Sequence, residues 1–209
     1  MKSLYKIDGV GINFEKFFPV ESKEEKSSLR HKYNFSDTDF ILLYTAEFIK
    51  RKNHKLIFEI IPELKNEIKG LKIIFCGKGE LLDYYKNLSN TKNYDFITFT
   101  GYTKNVADFC RLSDVLIMPS FQEGLPLSMI EACATSLPVV ASKIRGHVDV
   151  IKDGFNGFLC DLNKKEDFVR AVNVLYQNPE LRFVMGKRNA DIAKKFSVEI
   201  AVQKNGRNL

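Results

Sequence analysis

The sequence has no CxxC pair, no cluster of histidines and no long apolar run. Its four cysteines, Cys76, Cys110, Cys133 and Cys160, are scattered through apolar segments, two strand-like and two helix-like. Zinc ribbons and dithiol redox motifs are therefore excluded, and all four read as buried thiols. His31, His54 and His147 have no ligand spacing, so no metal is expected. No apolar stretch approaches the ~18 residues that a membrane span needs. The N-terminal MKSLYKIDGVG has neither an apolar core nor a small-residue cleavage site, which makes it a poor secretory signal. A cytoplasmic protein is the expectation.

What is present is ordinary globular composition, 44% hydrophobic and 28% charged over 209 residues, enough for one well-buried domain with an appended segment. The formal net charge is +6, and from Arg182 onward seven basic residues face two acids. Such a basic tail favours an anionic membrane surface, and a peripheral contact at the inner face of the membrane is the further expectation it allows. The plainer reading is a solvated helix face. Nucleic acid is not expected, because no aromatic residues are interleaved with the basic ones.

Strand-like and helix-like patterns alternate from Asp39 onward. DFILLYT (39–45), LKIIFC (71–76), DFITFT (95–100), DVLIMPS (114–120), PVVAS (138–142) and GFLC (157–160) read as six strands. Between them lie helical segments at 54–68, 80–88, 105–113 and 125–134, and a helical region runs from Glu166 to about Lys204. The strands are continuous apolar runs, as in a parallel sheet buried on both faces. Right-handed crossovers then give an α/β, doubly wound, Rossmann-like sheet of six strands with appended C-terminal helices. Residues 1–38, with the polar run ESKEEKSS, read as a partly irregular lead-in, and residues 39–209 as the domain.

If the strand order is 3-2-1-4-5-6, it reverses between the first and fourth strands, where such sheets bind ligands outside the carboxyl ends. The two loops there are AEFIKRKNHK (46–55) and PSFQEG (119–124). Arg51 and Lys52 in the first loop are suited to a diphosphate. The helix expected to begin near Leu125 offers free N–H groups and a positive dipole end, and Gly124 lets the backbone approach a ligand. Glu123 repels phosphate and is suited to sugar hydroxyls, and Glu131 to a ribose. On their own, the two acids could equally be a helix-start acid and a solvated side chain. A partial GxGxxG, CGKGELL (76–82), lacks its third glycine and follows the second strand. It reads as a tight turn at Gly77 and Gly79, not as a dinucleotide fingerprint.

With these pieces assembled, the chain resembles the C-terminal, donor-binding domain of retaining family 4 glycosyltransferases, one half of the GT-B fold. The resemblance rests on the E-x7-E element EGLPLSMIE (123–131), with RKNHK (51–55), FCGKGE (75–80), FTGY (99–102), SDVLIMPS (113–120) and LPVVASKIRG (137–146). It extends from IDGVGINFEKFFP (7–19) into the terminal helices. Carried over residue by residue, it implies that Glu123 is the catalytic residue, in contact with the donor sugar and its developing charge, that Glu131 contacts the ribose and that Lys52 faces the diphosphate. It further implies helix-start amides at Leu127 and Ser128, and a base-contacting loop at Tyr102 and Thr103. Glu47 stands where many members carry arginine and Pro126 where many carry glycine, and Arg51 is the candidate substitute for the missing arginine.

The resemblance implies a nucleotide-diphosphate sugar as substrate, no cofactor and no metal. It also implies a missing N-terminal acceptor domain or partner chain, without which this half would bind donor but not transfer. Polysaccharide or glycolipid synthesis would be the setting. A non-catalytic nucleotide-sugar-binding module, or a subunit of a split transferase, is the alternative. A two-carboxylate glycosidase does not account for the phosphate loop.

Overall fold

A computed structural model describes residues 11–196. Its strands are β1 (Phe40–Thr45), β2 (Leu71–Cys76), β3 (Ile97–Gly101), β4 (Val115–Met118), β5 (Val139–Ser142) and β6 (Gly157–Cys160). All pair in parallel in the order β3-β2-β1-β4-β5-β6. The reversal of order between β1 and β4 is thus where the sequence places it. β1, β4 and β5 are buried at every residue, which explains why each is an unbroken apolar run. The helices are α1 (Lys23–Lys32), α2 (His54–Glu67), α3 (Leu82–Thr91), α4 (Val106–Leu112), α5 (Leu127–Ala134), α6 (Lys165–Gln177) and α7 (Pro179–Ala193). α2 packs on α6, while α5 packs on α4 and α7. The helical region expected to reach Lys204 is α6, α7 and a 3-10 turn at Lys194–Phe196; residues 197–204 lie outside the described residues.

The polar run within the expected lead-in is α1. Ser22 caps it by accepting from the Glu25 amide at 3.1 Å, two acids occupy its first turn, and Arg30, His31 and Lys32 occupy its last. Each charge complements the helix dipole at its own end. One side chain ties this polar helix to the sheet. Arg30 is buried and donates to the carbonyls of Leu112 (3.0 Å), Asp37 (2.9 Å) and Asp39 (3.0 Å) and to Asp114 Oδ2 (2.7 Å). Asp114 also accepts from Lys26 Nζ at 2.9 Å and from the Ile41 amide at 2.8 Å. Lys26 and Arg30 hold its carboxyl below the usual carboxylate range, although burial pushes the other way most strongly. A tether so rich in buried charge is invisible to apolar periodicity.

The Gly77–Gly79 turn has a structural use. Both glycines have strongly positive φ, and a Cβ would lie 1.9 Å from the Ala46 carbonyl oxygen at Gly77 and 2.6 Å from the Phe48 nitrogen at Gly79. Only glycine lets this turn lie against the loop that leaves β1. There the Phe48 amide donates to the Lys78 carbonyl and the Leu81 amide to the Phe48 carbonyl, both at 2.9 Å.

Arg30→Ala should cost about 3–5 kcal/mol, because it strips a buried carboxylate of its closest partner. Urea unfolding measures this; a loss below about 1 kcal/mol, the scale of an exposed ion pair, would contradict the tether.

Candidate functional site

The loops leaving β1 and β4 are stitched together at the carboxyl end of the sheet. The Phe121 amide donates to the Arg51 carbonyl at 2.9 Å, and Asn53 Nδ2 to the Pro119 carbonyl at 3.0 Å. Asn53 adopts the left-handed conformation that lets α2 start directly after the 3-10 turn Lys50–Lys52. From beneath, the buried Tyr44 hydroxyl donates to the Lys52 carbonyl at 2.5 Å and lies 3.2 Å from Ser120 Oγ. Burial pushes the pKa of this phenol far above its ordinary value, so Tyr44 is a fixed hydrogen-bonding post and not a proton donor to solvent.

On this frame sit the expected residues. Lys52 Nζ donates to Glu123 Oε1 at 2.6 Å, and Arg51 Nη1 reaches Glu123 Oε2 at 3.4 Å and the Gln122 carbonyl at 3.1 Å. The Glu123 and Lys52 side chains are only 6% and 13% exposed, whereas Arg51 is 43% exposed. The sequence placed the two cations opposite a diphosphate and left Glu123 open to sugar hydroxyls. The structure joins all three in one cluster with a cation on each carboxylate oxygen. Removing a charge pair from water costs heavily, so this cluster is weak evidence for a role in stability. Lys52 keeps further N–H donors, and Arg51 keeps the exposed edge of its guanidinium.

The helix start is also corrected. α5 begins at Leu127, not Leu125, because Pro126 takes the cap position in a non-helical conformation. A residue preceding proline is steered away from the helical region, which keeps Leu125 outside. The Leu127 amide, expected to face a ligand, donates to the Leu125 carbonyl at 3.0 Å. The amides of Gly124, Leu125 and Ser128 make no hydrogen bond among the described residues. Three N–H groups therefore remain for an anion at the mouth of α5, a different set from the one expected.

Glu131 sits in the second turn of α5, half-buried, and its carboxylate makes no hydrogen bond or ion pair among the described residues. Burial raises its pKa, and the charge of Lys16 pulls it partly back. It makes no hydrogen bond with the Glu123 cluster. Tyr102 and Thr103 follow β3 at the same end of the sheet and likewise make no hydrogen bond with the cluster. Tyr102 is 72% exposed with Lys78 Nζ 5.7 Å from its ring centre, and Thr103 Oγ1 accepts from the Asn105 amide at 3.1 Å. Glu47 is exposed at the foot of the first loop.

Several supporting residues escaped the sequence reading. Gly146, with φ of +88°, brings the loop after β5 against Gly124; a Cβ there would stand 2.3 Å from the Gly124 carbonyl oxygen. Its only sequence signal was its place at the end of LPVVASKIRG. Behind Glu123, His147 Nδ1 donates to the Ser142 carbonyl at 2.9 Å, and Ser142 Oγ donates to the Ser120 carbonyl at 2.6 Å. Burial lowers the His147 pKa, so the ring is a neutral strut. His54, at the first position of α2, is stacked 4.1 Å from Phe48 and driven to a pKa of about 3 by burial and by Lys52. Neither histidine is placed for acid–base work at neutral pH. A cavity of about 480 Å³ adjoins Glu123, lined by Phe121, Gln122, Gly124, Ile144, Arg145 and Asp149. Among the described residues no group of three His, Cys, Asp or Glu side chains could hold a metal ion.

A doubly wound domain with unfilled amides, two cations and a buried carboxylate at its switch point defines an α/β protein of the anion-cleft class. Comparison with known proteins specifies the class further. The model of the group 1 glycosyl transferases matches residues 25–191, and the chain belongs to that family. EpsD of Bacillus subtilis (strain 168), named as a glycosyltransferase, is 36% identical over 193 residues, covering 92% of this chain and 50% of EpsD. The chain thus spans about half the length of this curated relative. Among solved structures, Anabaena Alr3699/HepE in complex with UDP and glucose superposes with a TM-score of 0.83 at 18% identity, covering 95% of this chain and 55% of that one. The C-terminal domain of the group 1 protein LpcC from Francisella tularensis superposes with a TM-score of 0.78 at 20% identity, covering 90% of this chain and all of that one. These two share the fold, that of the C-terminal half of GT-B glycosyltransferases.

Glu131 yields a prediction independent of any ligand. Its raised pKa means that the fold favours the protonated form, so the cost of its charge appears as pH rises above the ordinary glutamate value of 4.5. Glu131→Gln should raise the melting temperature at pH 7, and the gain should vanish as pH falls below that value. An unchanged or lower melting temperature at pH 7 would show that the carboxylate has a stabilising partner.

Proposed function

We propose that this chain is the donor-binding half of a retaining glycosyltransferase that moves a sugar from a nucleotide-diphosphate sugar to an acceptor in polysaccharide or glycolipid synthesis. The observation that carries the reading is the junction of Lys52, Arg51 and Glu123 beside the unfilled amides of Gly124, Leu125 and Ser128. The diphosphate would lie over the amides and against the outer faces of the two cations. As the bond from the anomeric carbon to the terminal phosphate oxygen breaks, negative charge grows on the departing diphosphate, which these donors stabilise. Positive charge grows on the sugar ring beside Glu123, the one carboxylate in that cluster. Glu131, partly desolvated and without a partner, is suited to the ribose hydroxyls, and Tyr102 and Thr103 to the base. Family membership supports the class of reaction, and HepE with UDP and glucose supports the class of ligand.

The cations at the cleft make a divalent metal unnecessary, so donor affinity should be the same with and without EDTA. Lys52→Ala should weaken UDP or GDP by about 1.5–3 kcal/mol, the scale of a charge-assisted hydrogen bond. Glu123→Gln removes the counter-ion of Lys52 and Arg51, so free nucleotide should bind at least as tightly, while transfer by the chain joined to an acceptor domain is lost. Glu131→Gln should weaken free nucleotide. Calorimetry on the parent and the three variants tests the assignment, and equal weakening by both glutamate variants would refute it.

Transfer also needs an acceptor hydroxyl held within about 3–3.5 Å of the anomeric carbon and water kept out. The described residues form one wall of such a cleft. The 209-residue chain should therefore bind donor yet show at most slow hydrolysis, and an N-terminal acceptor domain supplied in cis or as a partner should restore transfer with retained configuration. Turnover by the chain alone at about 1 s⁻¹ or faster would defeat this reading. Donor binding with no transfer in either setting would favour the non-catalytic module.

A further inference from the structure

A second cavity, of about 360 Å³, opens at the other end of β4 and β5 from the cleft. Its walls come from α1, the end of α4, the 135–138 turn and the first half of α7. Four cations line it, Lys26, Arg111, Arg182 and Lys187, and one carboxylate, Asp114. That carboxylate is already filled by Lys26, Arg30 and the Ile41 amide. Arg111 gives one guanidinium nitrogen to Glu25, but its Nε is buried with no acceptor although the side chain is only 9% exposed. Arg182 bonds to the neutral carbonyls of Leu175 and Tyr176. Lys187 makes no ion pair among the described residues and lies 4.8 Å from the centre of the Phe183 ring.

Four cations thus meet one carboxylate around one partly enclosed space, with Arg30 and Glu25 bonded to the lining residues Asp114 and Arg111. Long cationic side chains are seldom buried without counter-ions, and here burial lowers the pKa of both Lys26 and Arg182. The excess of positive charge among the lining residues suits an anion of more than one charge. A small turn of the Arg111 guanidinium would give it a charge-assisted bond from a donor that now has none. Two exposed phenylalanines flank the opening: Phe183, 62% exposed, in the wall, and Phe18, 4.2 Å from the Arg111 guanidinium. A basic pocket with an apolar rim fits a phosphate group on an amphiphile better than a bare ion.

We propose that this cavity is a phosphate-binding site, distinct from the cleft and opening at the opposite end of the sheet. It takes a phosphate ester of the kind a phospholipid headgroup or a free phosphometabolite presents. The inference is independent of the donor site, since none of its residues touches Lys52, Arg51 or Glu123.

The test titrates the 209-residue chain with inorganic phosphate against chloride at constant ionic strength, and then floats it with vesicles. Phosphate should bind above the chloride control. Measured in a Lys52→Ala background, which weakens any phosphate held at the cleft, Lys187→Glu, a change at an exposed position, should weaken it by about tenfold or more, as should Arg111→Gln. Vesicles of phosphatidylcholine with phosphatidic acid should carry the chain, and vesicles of phosphatidylcholine alone should not. Phe183→Ser should then reduce flotation without altering phosphate affinity, which identifies the headgroup as the source. Phosphate binding with no flotation supports the site with a soluble ester as its ligand. Absence of phosphate binding, or binding indifferent to both Lys187→Glu and Arg111→Gln, overturns the proposal, as does flotation without phosphate binding.

Discussion

The seam between β1 and β4 is the element on which the fold and the site both depend. The two strands pair in parallel and are buried at every residue, and each end of the seam holds a carboxylate pinned by two cations. At the amino end of β4, Asp114 binds Lys26, Arg30 and the Ile41 amide of β1. Beyond its carboxyl end, Glu123 binds Lys52 and Arg51 from the loop that leaves β1. Both clusters connect the same neighbours, yet they differ in closure. The Asp114 carboxyl is saturated by protein groups and fixes α1 to the sheet. At the Glu123 end, further N–H groups of Lys52, the outer edge of Arg51 and three backbone amides have no acceptor among the described residues.

Under the proposed function, that difference separates structural charge from functional charge. A buried ion pair seldom repays its desolvation cost, so two such clusters need separate reasons. For Asp114 the reason is attachment: α1 is too polar to be held by hydrophobic burial, and the buried Arg30 replaces an apolar stripe. For Glu123 the proposed donor site supplies one: under that reading the carboxylate preorganises Lys52 and Arg51 at the crevice. Tyr44, Asn53, Ser120, Ser142 and Gly146 tie the surrounding loops together. A site whose donors need not reorganise stabilises developing charge at little further cost. Glu131 is the opposite case, an acid partly desolvated without a partner among the described residues; under the proposed function this is a stability cost of the kind functional sites carry.

What the sequence determined by itself was the frame. Unbroken apolar strands such as FILLYT and VLIM, alternating with helical periods, can be satisfied only by a parallel sheet covered on both faces, and chirality restricts the crossovers. With the strand order assumed, the switch point followed, and so did the two loops carrying Arg51, Lys52, Glu123 and Gly124. These inferences rest on local pattern, which one chain position and its near neighbours encode. Tertiary structure decided the pairings. Lys52 and Glu123 are far apart in sequence, and whether they oppose a ligand or each other depends on how two loops meet. Pro126 moved the start of α5 by two residues and changed which amides stay open. Arg30 made a polar run into an anchored helix because Asp114 lay across the seam. Hydrogen bonds of that reach depend on distances of about 3 Å between groups that no periodicity relates, and only the folded chain brings them to that range.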